Sequence, residues 1–182
     1  MSSSTLRGRL HAVDVSLFER VAAFHAPLLD RVLPPLSETA SYSRLWIACS
    51  LVLVGRGRRP RRAAITAMTA VAATSAIANI AMKRTLPRRR PDRVVPEGRR
   101  LVQRRSSSFP SGHAASAAAF SGVIGSELPH LRLPVNALAG TIAFSRVYTG
   151  VHYPGDVLAG WLLGRSVARV SRRLLHRFEA SV

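Results

Sequence analysis

The chain has 182 residues, enough for one domain, and carries 27 lysines and arginines against nine acidic residues, a formal net charge of +18. Its mean hydropathy is nevertheless positive, at +0.12. A soluble nucleic-acid-binding protein with this charge should be polar on average, so the composition argues against that class. Cations that bracket apolar runs are typical of a membrane protein with arginines at the bilayer surfaces. The single cysteine, Cys49, excludes an internal disulfide and a cysteine-based zinc site.

The N-terminal segment, residues 1–38, has neither the pattern of a signal peptide nor an uncharged span, so insertion is expected to depend on later segments. Its apolar residues between Asp14 and Leu36 are interrupted by charges. This mixture predicts two short amphipathic helices that lie in the membrane interface. Two consecutive prolines, Pro34 and Pro35, are predicted to end the second helix.

Residues 39–182 predict a bundle of about five transmembrane helices. The clearest span is 63–82, twenty residues without a charge, which is about the length that crosses a hydrocarbon core. Its many Ala, Thr and Ser residues indicate close packing on neighbouring helices. An arginine-rich turn is expected before it, at 55–62. The remaining apolar runs are 39–55, 110–126, 134–147 and 154–163, the last continuing as a basic amphipathic helix. The sequence therefore predicts an all-α integral membrane bundle.

Because successive spans alternate in direction, three polar segments should meet at one face of the bundle: 83–90, 111–113 and 145–156. Pro110 suits the first turn of a helix, since its ring presets φ and its missing N–H would be unpaired there. The free N–H groups that follow would form an anion site that suits phosphate. A histidine beside a phosphate can deliver a proton at neutral pH.

Three motifs occupy these segments. They are Lys83 with Arg90-Pro91 after six residues; Pro110-Ser111-Gly112-His113; and Ser145-Arg146 with His152 after five residues and Asp156 after three more. Together they resemble the signatures of the type-2 phosphatidic acid phosphatase superfamily, the lipid phosphate phosphatases, which share their site with vanadium haloperoxidases. The resemblance covers roughly residues 63–164, and no signature residue departs from the family pattern.

The resemblance implies a phosphate cradle. Lys83, Arg90 and Arg146 would supply cations, and arginine adds two-pronged hydrogen bonding to phosphate oxygens. The Ser111 hydroxyl and the N–H groups of Ser111 and Gly112 would complete the cradle. Phosphoryl transfer depends mainly on positioning and electrostatic stabilisation. With three cations in place, the expectation is that no metal ion or other cofactor is needed.

The resemblance also implies the catalytic roles. His152 would be the nucleophile and form a phosphohistidine. Asp156 would hold the other ring nitrogen of His152, fixing its tautomer. His113 would protonate the leaving oxygen and then take a proton from the water that breaks the intermediate.

These features predict a multi-pass lipid phosphatase of the cell membrane that binds no nucleic acid. Family members hydrolyse polyprenyl diphosphate, prenyl-linked phosphosugars, phosphatidate or phosphatidylglycerol phosphate. The Ala- and Arg-rich composition resembles actinobacterial members, for which a prenyl phosphosugar of cell-wall synthesis is a candidate substrate. Counting loop cations slightly favours a cytoplasmic site, whereas the resemblance favours an extracytoplasmic one, which is the expectation adopted. The oligomeric state is left open.

Three alternatives remain. A protein of the same fold without activity would only bind anionic lipids, but no signature residue is lost. Vanadate-dependent oxidases are larger and soluble, which the uncharged span 63–82 argues against. A basic nucleic-acid binder would be extractable by salt. The further arginines of the 84–105 segment are interpreted as surface charge rather than as substrate-recruiting groups, namely Arg88, Arg89, Arg104 and Arg105.

Overall fold

A computed structural model describes residues 3–92, 95–102 and 106–180, and the described residues form an all-helical bundle. The helices are α1 (Ser3–Ala23), α2 (Pro27–Thr39), α3 (Arg44–Val54), α4 (Arg58–Ala76), α5 (Lys83–Thr85), α6 (Gly112–Glu127), α7 (Arg132–Tyr148) and α8 (Pro154–Ala180). Short 3-10 turns lie at Ser41–Ser43, Glu97–Arg99 and Pro129–Leu131. Six π-helical residues, Ile77–Met82, join α4 to α5 without a break.

The two N-terminal helices are present, but the predicted end of the second is wrong. Pro34 and Pro35 lie inside α2, which continues to Thr39. Each proline removes one helical hydrogen bond, yet its fixed φ is compatible with a helix. The loss is offset by packing, because Leu33 and Ser37 on either side of the prolines are buried against the bundle.

One helix, at 58–85, is long and apolar enough to cross a membrane within the part of the chain that the structure describes. The number of spans, about five, therefore stays a prediction. The turn expected at 55–62 is shorter than predicted, because α4 already begins at Arg58. Pro60 falls in the first helical turn, where a missing N–H costs nothing.

The bundle is closest-packed where α6 meets α8. Ala114, Ala115 and Ala117 on α6 are completely buried. A Cβ on Gly160 would overlap the carbonyl oxygen of Ser111, and one on Gly164 would overlap that of Ala115. Glycines four residues apart let two helix backbones approach this closely. The contact fixes the start of α8 beside the start of α6.

The start of α6 differs from the prediction. Pro110 lies before the helix, after a cis peptide bond from Phe109, and α6 begins at Gly112. Ser111 is the N-cap, and its side chain accepts a hydrogen bond from the N–H of Ala114 at 3.4 Å. Serine is a preferred N-cap because its hydroxyl satisfies an amide of the first turn that has no other helical acceptor.

The long arginine-rich segment between α5 and α6 is held against the helices. Arg99 is 1 % exposed, pairs with Asp30 of α2 at 2.5 Å and lies over the Tyr148 ring of α7 at 4.4 Å. Val95 packs with Phe18 of α1. The segment therefore forms part of the wall of the bundle at the end where α7 finishes.

Candidate active site

The predicted site residues gather at the end of the bundle where α6 and α8 begin and α7 ends. The N–H of Ser111 donates to the backbone carbonyl of Asp156 at 2.9 Å, which joins the starts of α6 and α8. The N–H of His152 donates to the carbonyl of Arg146 at 3.1 Å, which joins the loop before α8 to the last turn of α7. Residues more than 40 positions apart in the sequence thus share one small region.

His152 lies in the loop between α7 and α8 and is 2 % exposed. Its Nε2 is 3.3 Å from Nη1 of Arg90. Because a guanidinium can only donate, Nε2 must be the acceptor and the ring proton is assigned to Nδ1. Nδ1 faces the Ser108 hydroxyl at 3.4 Å and the Asp156 carboxylate at 3.6 Å. The ring therefore has one side toward a cation and the other toward an acid.

Burial lowers the pKa of His152 to about 4, and the charges of Arg146 and Arg90 lower it as well, while Asp156 opposes them. The imidazole is therefore neutral at pH 7. Its Nε2 therefore carries a lone pair, which accepts from Arg90 in the structure and which a nucleophilic histidine needs.

The carboxylate of Asp156 is completely buried and is held by groups from three segments. Nη1 of Arg88 donates to Oδ1 at 2.8 Å. The backbone N–H of Tyr153 donates to Oδ2 at 3.0 Å, and the Ser108 hydroxyl donates to the same oxygen. A buried charge is stable only when it is paired and hydrogen-bonded in this way.

Ser108 is a site residue that the sequence reasoning missed. At 3.6 Å the separation between His152 and Asp156 is too long for an ordinary hydrogen bond. The Ser108 hydroxyl contacts both side chains and bridges them. The run of three serines at 106–108 was visible in the sequence, but nothing there distinguished the buried Ser108 from the exposed Ser106 and the half-buried Ser107.

Arg90 joins the arginine-rich segment to the loop that carries His152. Its Nη1 donates to the carbonyl of Val151 at 2.7 Å, and its Nε donates to the carbonyl of Ser106 at 3.2 Å. The guanidinium thus contacts the backbone next to His152 and that of the 106–108 serine run, and its Nη1 lies beside Nε2 of His152. It lies where the charge of a phosphoryl group bound at Nε2 would develop.

Arg146 is 7 % exposed and is supported by α2. Its Nη1 donates to the hydroxyl oxygen of Ser37 at 2.5 Å. The Ser145 hydroxyl donates to the same Ser37 oxygen at 2.9 Å. Ser37, two residues after the two prolines of α2, is therefore a supporting residue that the motif did not reveal.

The predicted cradle is only partly as expected. The Ser111 N–H is used by the Asp156 carbonyl and cannot also bind phosphate, so that part of the prediction is wrong. The Ser111 hydroxyl is buried beside it, and Gly112 lies in the first turn of α6, where helix geometry supplies no acceptor for its N–H. His113 is half-buried in the same turn, with Nε2 3.2 Å from the Ser41 hydroxyl. Lys83 lies in α5, and its contribution to the cradle stays a prediction.

The surface-charge interpretation of Arg88 is wrong. Its side chain is 24 % exposed, lies 4.2 Å from the Tyr153 ring centroid, and joins Asp156 to Asp14 of α1 at 2.7 Å. Asp14 also accepts the N–H of Gly155 at 2.7 Å. The first helix thus reaches the arginine that pairs with Asp156, and no signal in the sequence pointed to the pair of Asp14 and Arg88. Arg89 is exposed as expected, and Arg104 and Arg105 lie outside the described residues.

Comparison with known proteins identifies the chemistry of this arrangement. The family model of the PAP2 superfamily matches residues 63–179. The decaprenylphosphoryl-5-phosphoribose phosphatase of Mycobacterium tuberculosis is 36 % identical over 126 residues, which are 69 % of this chain and 68 % of that protein. The phosphatidylglycerophosphatase B of Bacillus subtilis is 44 % identical over 84 residues, 40 % of this chain and 41 % of that protein.

Solved structures share the architecture. The crystal structure of Aquifex aeolicus LpxE has a TM-score of 0.73 and 25 % identity, covering 87 % of this chain and 94 % of that one. A transmembrane PAP2-type phosphatidylglycerolphosphate phosphatase from Bacillus subtilis has a TM-score of 0.70 and 22 % identity, covering 93 % of this chain and 87 % of that one. The second likeness concerns the fold alone, and both neighbours have the same helical bundle.

Proposed function

The chain belongs to the PAP2 superfamily, and from that membership we propose that it is a membrane lipid phosphatase acting on a lipid phosphomonoester or diphosphate. The observation that carries the proposal is the environment of His152. The ring is buried and neutral, its Nε2 faces Arg90, and its Nδ1 faces Ser108 and Asp156. Relatives with matching sequence are phosphatases of lipid-linked phosphates.

In the first step, Nε2 of His152 attacks phosphorus and the bond from phosphorus to the lipid oxygen breaks. His113 gives its proton to that oxygen, so the lipid leaves as a neutral alcohol or, from a diphosphate, as a monophosphate. Nδ1 of His152 keeps its proton. The positive charge that develops on the phosphorylated imidazole is stabilised by the Asp156 carboxylate, with the Ser108 hydroxyl bridging the two side chains. Arg90, Arg146 and Lys83 neutralise the equatorial oxygens.

In the second step, water attacks the phosphohistidine. His113, now neutral, takes a proton from the water, the bond between nitrogen and phosphorus breaks, and inorganic phosphate leaves. Both steps use the same cations and the same acid–base group, so no residue has to move far between them. We propose that the reaction requires no metal ion, since the cations already placed at the site can neutralise the charge of the transition state.

The proposed substrate class is a prenyl-linked phosphosugar. The support is the relative from Mycobacterium tuberculosis, whose name specifies a decaprenylphosphoryl phosphoribose and which matches over two thirds of both chains. Phosphatidylglycerol phosphate and prenyl diphosphate follow, because relatives with shorter matches act on them. The site is proposed to face the extracytoplasmic side.

The test is phosphate release by the detergent-purified chain from a panel of lipid phosphates, with and without EDTA. Wild-type protein should release phosphate, EDTA should change the rate less than about twofold, and His152→Ala should reduce it by about a thousandfold or more. The matched control is His130→Ala, an exposed histidine at the other end of the bundle, which should retain full activity. Turnover by His152→Ala near the wild-type rate would show that His152 is not the nucleophile. A wild-type protein without turnover would favour the binding-only alternative.

A further inference from the structure

A polar cavity lies toward the other end of the bundle from the candidate active site, between the last turns of α6, the first turns of α7 and the middle of α8. Its volume is about 400 Å³. It is named the basic pocket here, because four of its lining residues are arginines, Arg132, Arg165, Arg169 and Arg172, accompanied by Ser126 and Asn136.

The basic pocket is separate from the candidate active site. Along α8 the pocket begins nine residues after Asp156, which is about 14 Å of helix, and extends to Arg172, about 24 Å away. The same separation holds on α7, which ends at the site with Arg146 and contributes Arg132 to the pocket from its first turn. The basic pocket and the candidate active site thus lie toward opposite ends of the same helices.

The charges of the basic pocket are largely uncompensated. Arg172 pairs with Glu127 at 2.6 Å, and His176 shares that carboxylate at 3.1 Å. Among the residues that the structure describes, Arg132, Arg165 and Arg169 have no carboxylate partner. Burial lowers the pKa of Arg165, and the nearby charges of Arg169 and Arg132 lower it too. Three guanidinium groups crowded around a cavity favour an anion that several of them can hydrogen-bond, as a phosphate does.

The packing beneath the pocket leaves room for these side chains. A Cβ on Gly122 would lie 3.2 Å from Nη1 of Arg165 and 2.8 Å from the Cβ of Ala168. Because Gly122 has no side chain, the Arg165 side chain can lie close to the backbone of α6, and both residues line the basic pocket. Arg165 is also 5.7 Å from the centroid of the Trp161 ring, which supports it from its own helix.

Apolar side chains continue from the basic pocket toward the middle of the bundle. Leu158 and Leu162 are about 60 % exposed and lie on the same face of α8 as Arg165 and Arg169, at helical spacings of three and four residues. One face of α8 thus changes from exposed leucines to arginines as it approaches the end of the bundle. An anionic group joined to long hydrocarbon chains complements this surface better than a free anion does.

We propose that the basic pocket binds the phosphodiester headgroup of an anionic membrane phospholipid, whose acyl chains lie along Leu158 and Leu162. The arginines hold the headgroup oxygens at the membrane surface opposite the active site. The bound lipid neutralises the mutual repulsion of the guanidinium groups and thereby stabilises the packing of α7 and α8. Basic pockets between membrane helices commonly take headgroups of this kind.

The test measures lipid binding by the detergent-purified full chain with native mass spectrometry. The probes are phosphatidylglycerol, a phosphodiester with no terminal phosphate to hydrolyse, and phosphatidylcholine as the zwitterionic comparison. Arg165→Gln/Arg169→Gln should weaken phosphatidylglycerol binding by about twenty-five-fold, from about fivefold for each arginine. The matched control is Arg173→Gln/Arg177→Gln, which removes two exposed arginines from the same helix outside the pocket and should weaken binding less than about threefold.

Three outcomes would overturn the proposal: equal losses in the two double variants, equal binding of the two lipids, or displacement of phosphatidylglycerol by inorganic phosphate at equal concentration. The last would identify the pocket as a site for a free anion. The substituted residues lie far from His152, so phosphatase activity should be unchanged in both variants when they are correctly folded. Activity therefore serves as the control for folding. If the double variant does not fold, Arg165→Gln and Arg169→Gln are measured singly, each with an expected fivefold loss.

Discussion

Two carboxylates of this bundle have the same kinds of partner and opposite environments. Asp156 at the start of α8 contacts an arginine and lies near a histidine, Arg88 and His152. Glu127 at the end of α6 also contacts an arginine and a histidine, Arg172 and His176. His152 is 2 % exposed, whereas the His176 side chain is 52 % exposed. Residue types alone therefore do not distinguish the two clusters.

Burial is the property that separates them. Water screens the ion pairs of Glu127, so they contribute little beyond local stability. At Asp156 the surroundings exclude water, every interaction is stronger, and the neighbouring imidazole is held neutral with its reactive nitrogen toward Arg90. The proposed reactivity of the cluster around Asp156 therefore depends on the bundle that closes around it.

The largest expected effect comes from removing each carboxylate in turn. Asp156→Asn should lower kcat by about a thousandfold or more, because the tautomer and the charge on His152 are no longer controlled. Glu127→Gln, the matched change, should lower kcat less than about twofold. Phosphate release from the best lipid of the panel measures both. Equal losses would mean that burial does not separate the two clusters.

The sequence was sufficient for the parts of this site that follow from spacing. Alternating helices were enough to bring 83–90, 111–113 and 145–156 to one end, and the all-helical fold followed from the apolar runs. The sequence was not sufficient where tertiary packing determines which residue a side chain contacts. Ser108 is one of three adjacent serines, and Asp14 lies 74 positions from Arg88. Their roles depend on the side chains they meet in three dimensions.

Two of the wrong predictions concern prolines, and in each a competing interaction outweighs the preference of the proline. Pro110 was expected in the first helical turn, but the Ser111 hydroxyl provides a better cap and the helix begins two residues later, at Gly112. Pro34 and Pro35 were expected to end α2, but burial of Leu33 and Ser37 outweighs the two missing hydrogen bonds. Tertiary packing overrides local preference in the second case.

The next effect tests how the buried cluster is positioned. Gly160→Ala introduces a methyl group against the backbone carbonyl of Ser111, which cannot rotate away. The start of α8 must shift, and a displacement of about 1 Å can cost about a hundredfold in rate. We expect a loss of this order and a destabilisation of about 2 kcal/mol. Gly140→Ala on α7, where a Cβ would meet nothing within 4 Å, is the control and should change neither quantity measurably.

The pH dependence of kcat/KM tests the burial of His152 directly. The pKa of His152 is lowered to about 4, so the nucleophile stays unprotonated until the pH falls through that value. The acid limb of kcat/KM should lie near pH 4 and fall tenfold per unit below it, while deprotonation of His113 produces an alkaline limb. An acid limb near pH 6.5 would show that His152 is solvated. Because the folded pKa lies below the unfolded one, His152 also makes the protein less stable as the pH falls below about 6.5.

The smallest expected effect concerns the first helix, which the motifs do not include. Asp14→Asn leaves an oxygen to accept the Gly155 N–H but removes the charge that shares Arg88 with Asp156. Arg88 is then drawn more strongly toward Asp156. The Asp156 carboxylate therefore interacts less strongly with the Ser108 hydroxyl and the His152 ring. Since Asp14 acts through Arg88 as a positioning residue, kcat should fall about fivefold with little change in KM. Glu19→Gln, an exposed acid on the same helix, controls for net charge and should leave both constants unchanged. A rise in KM with kcat intact would instead assign Asp14 to substrate binding and remove it from the network around Asp156.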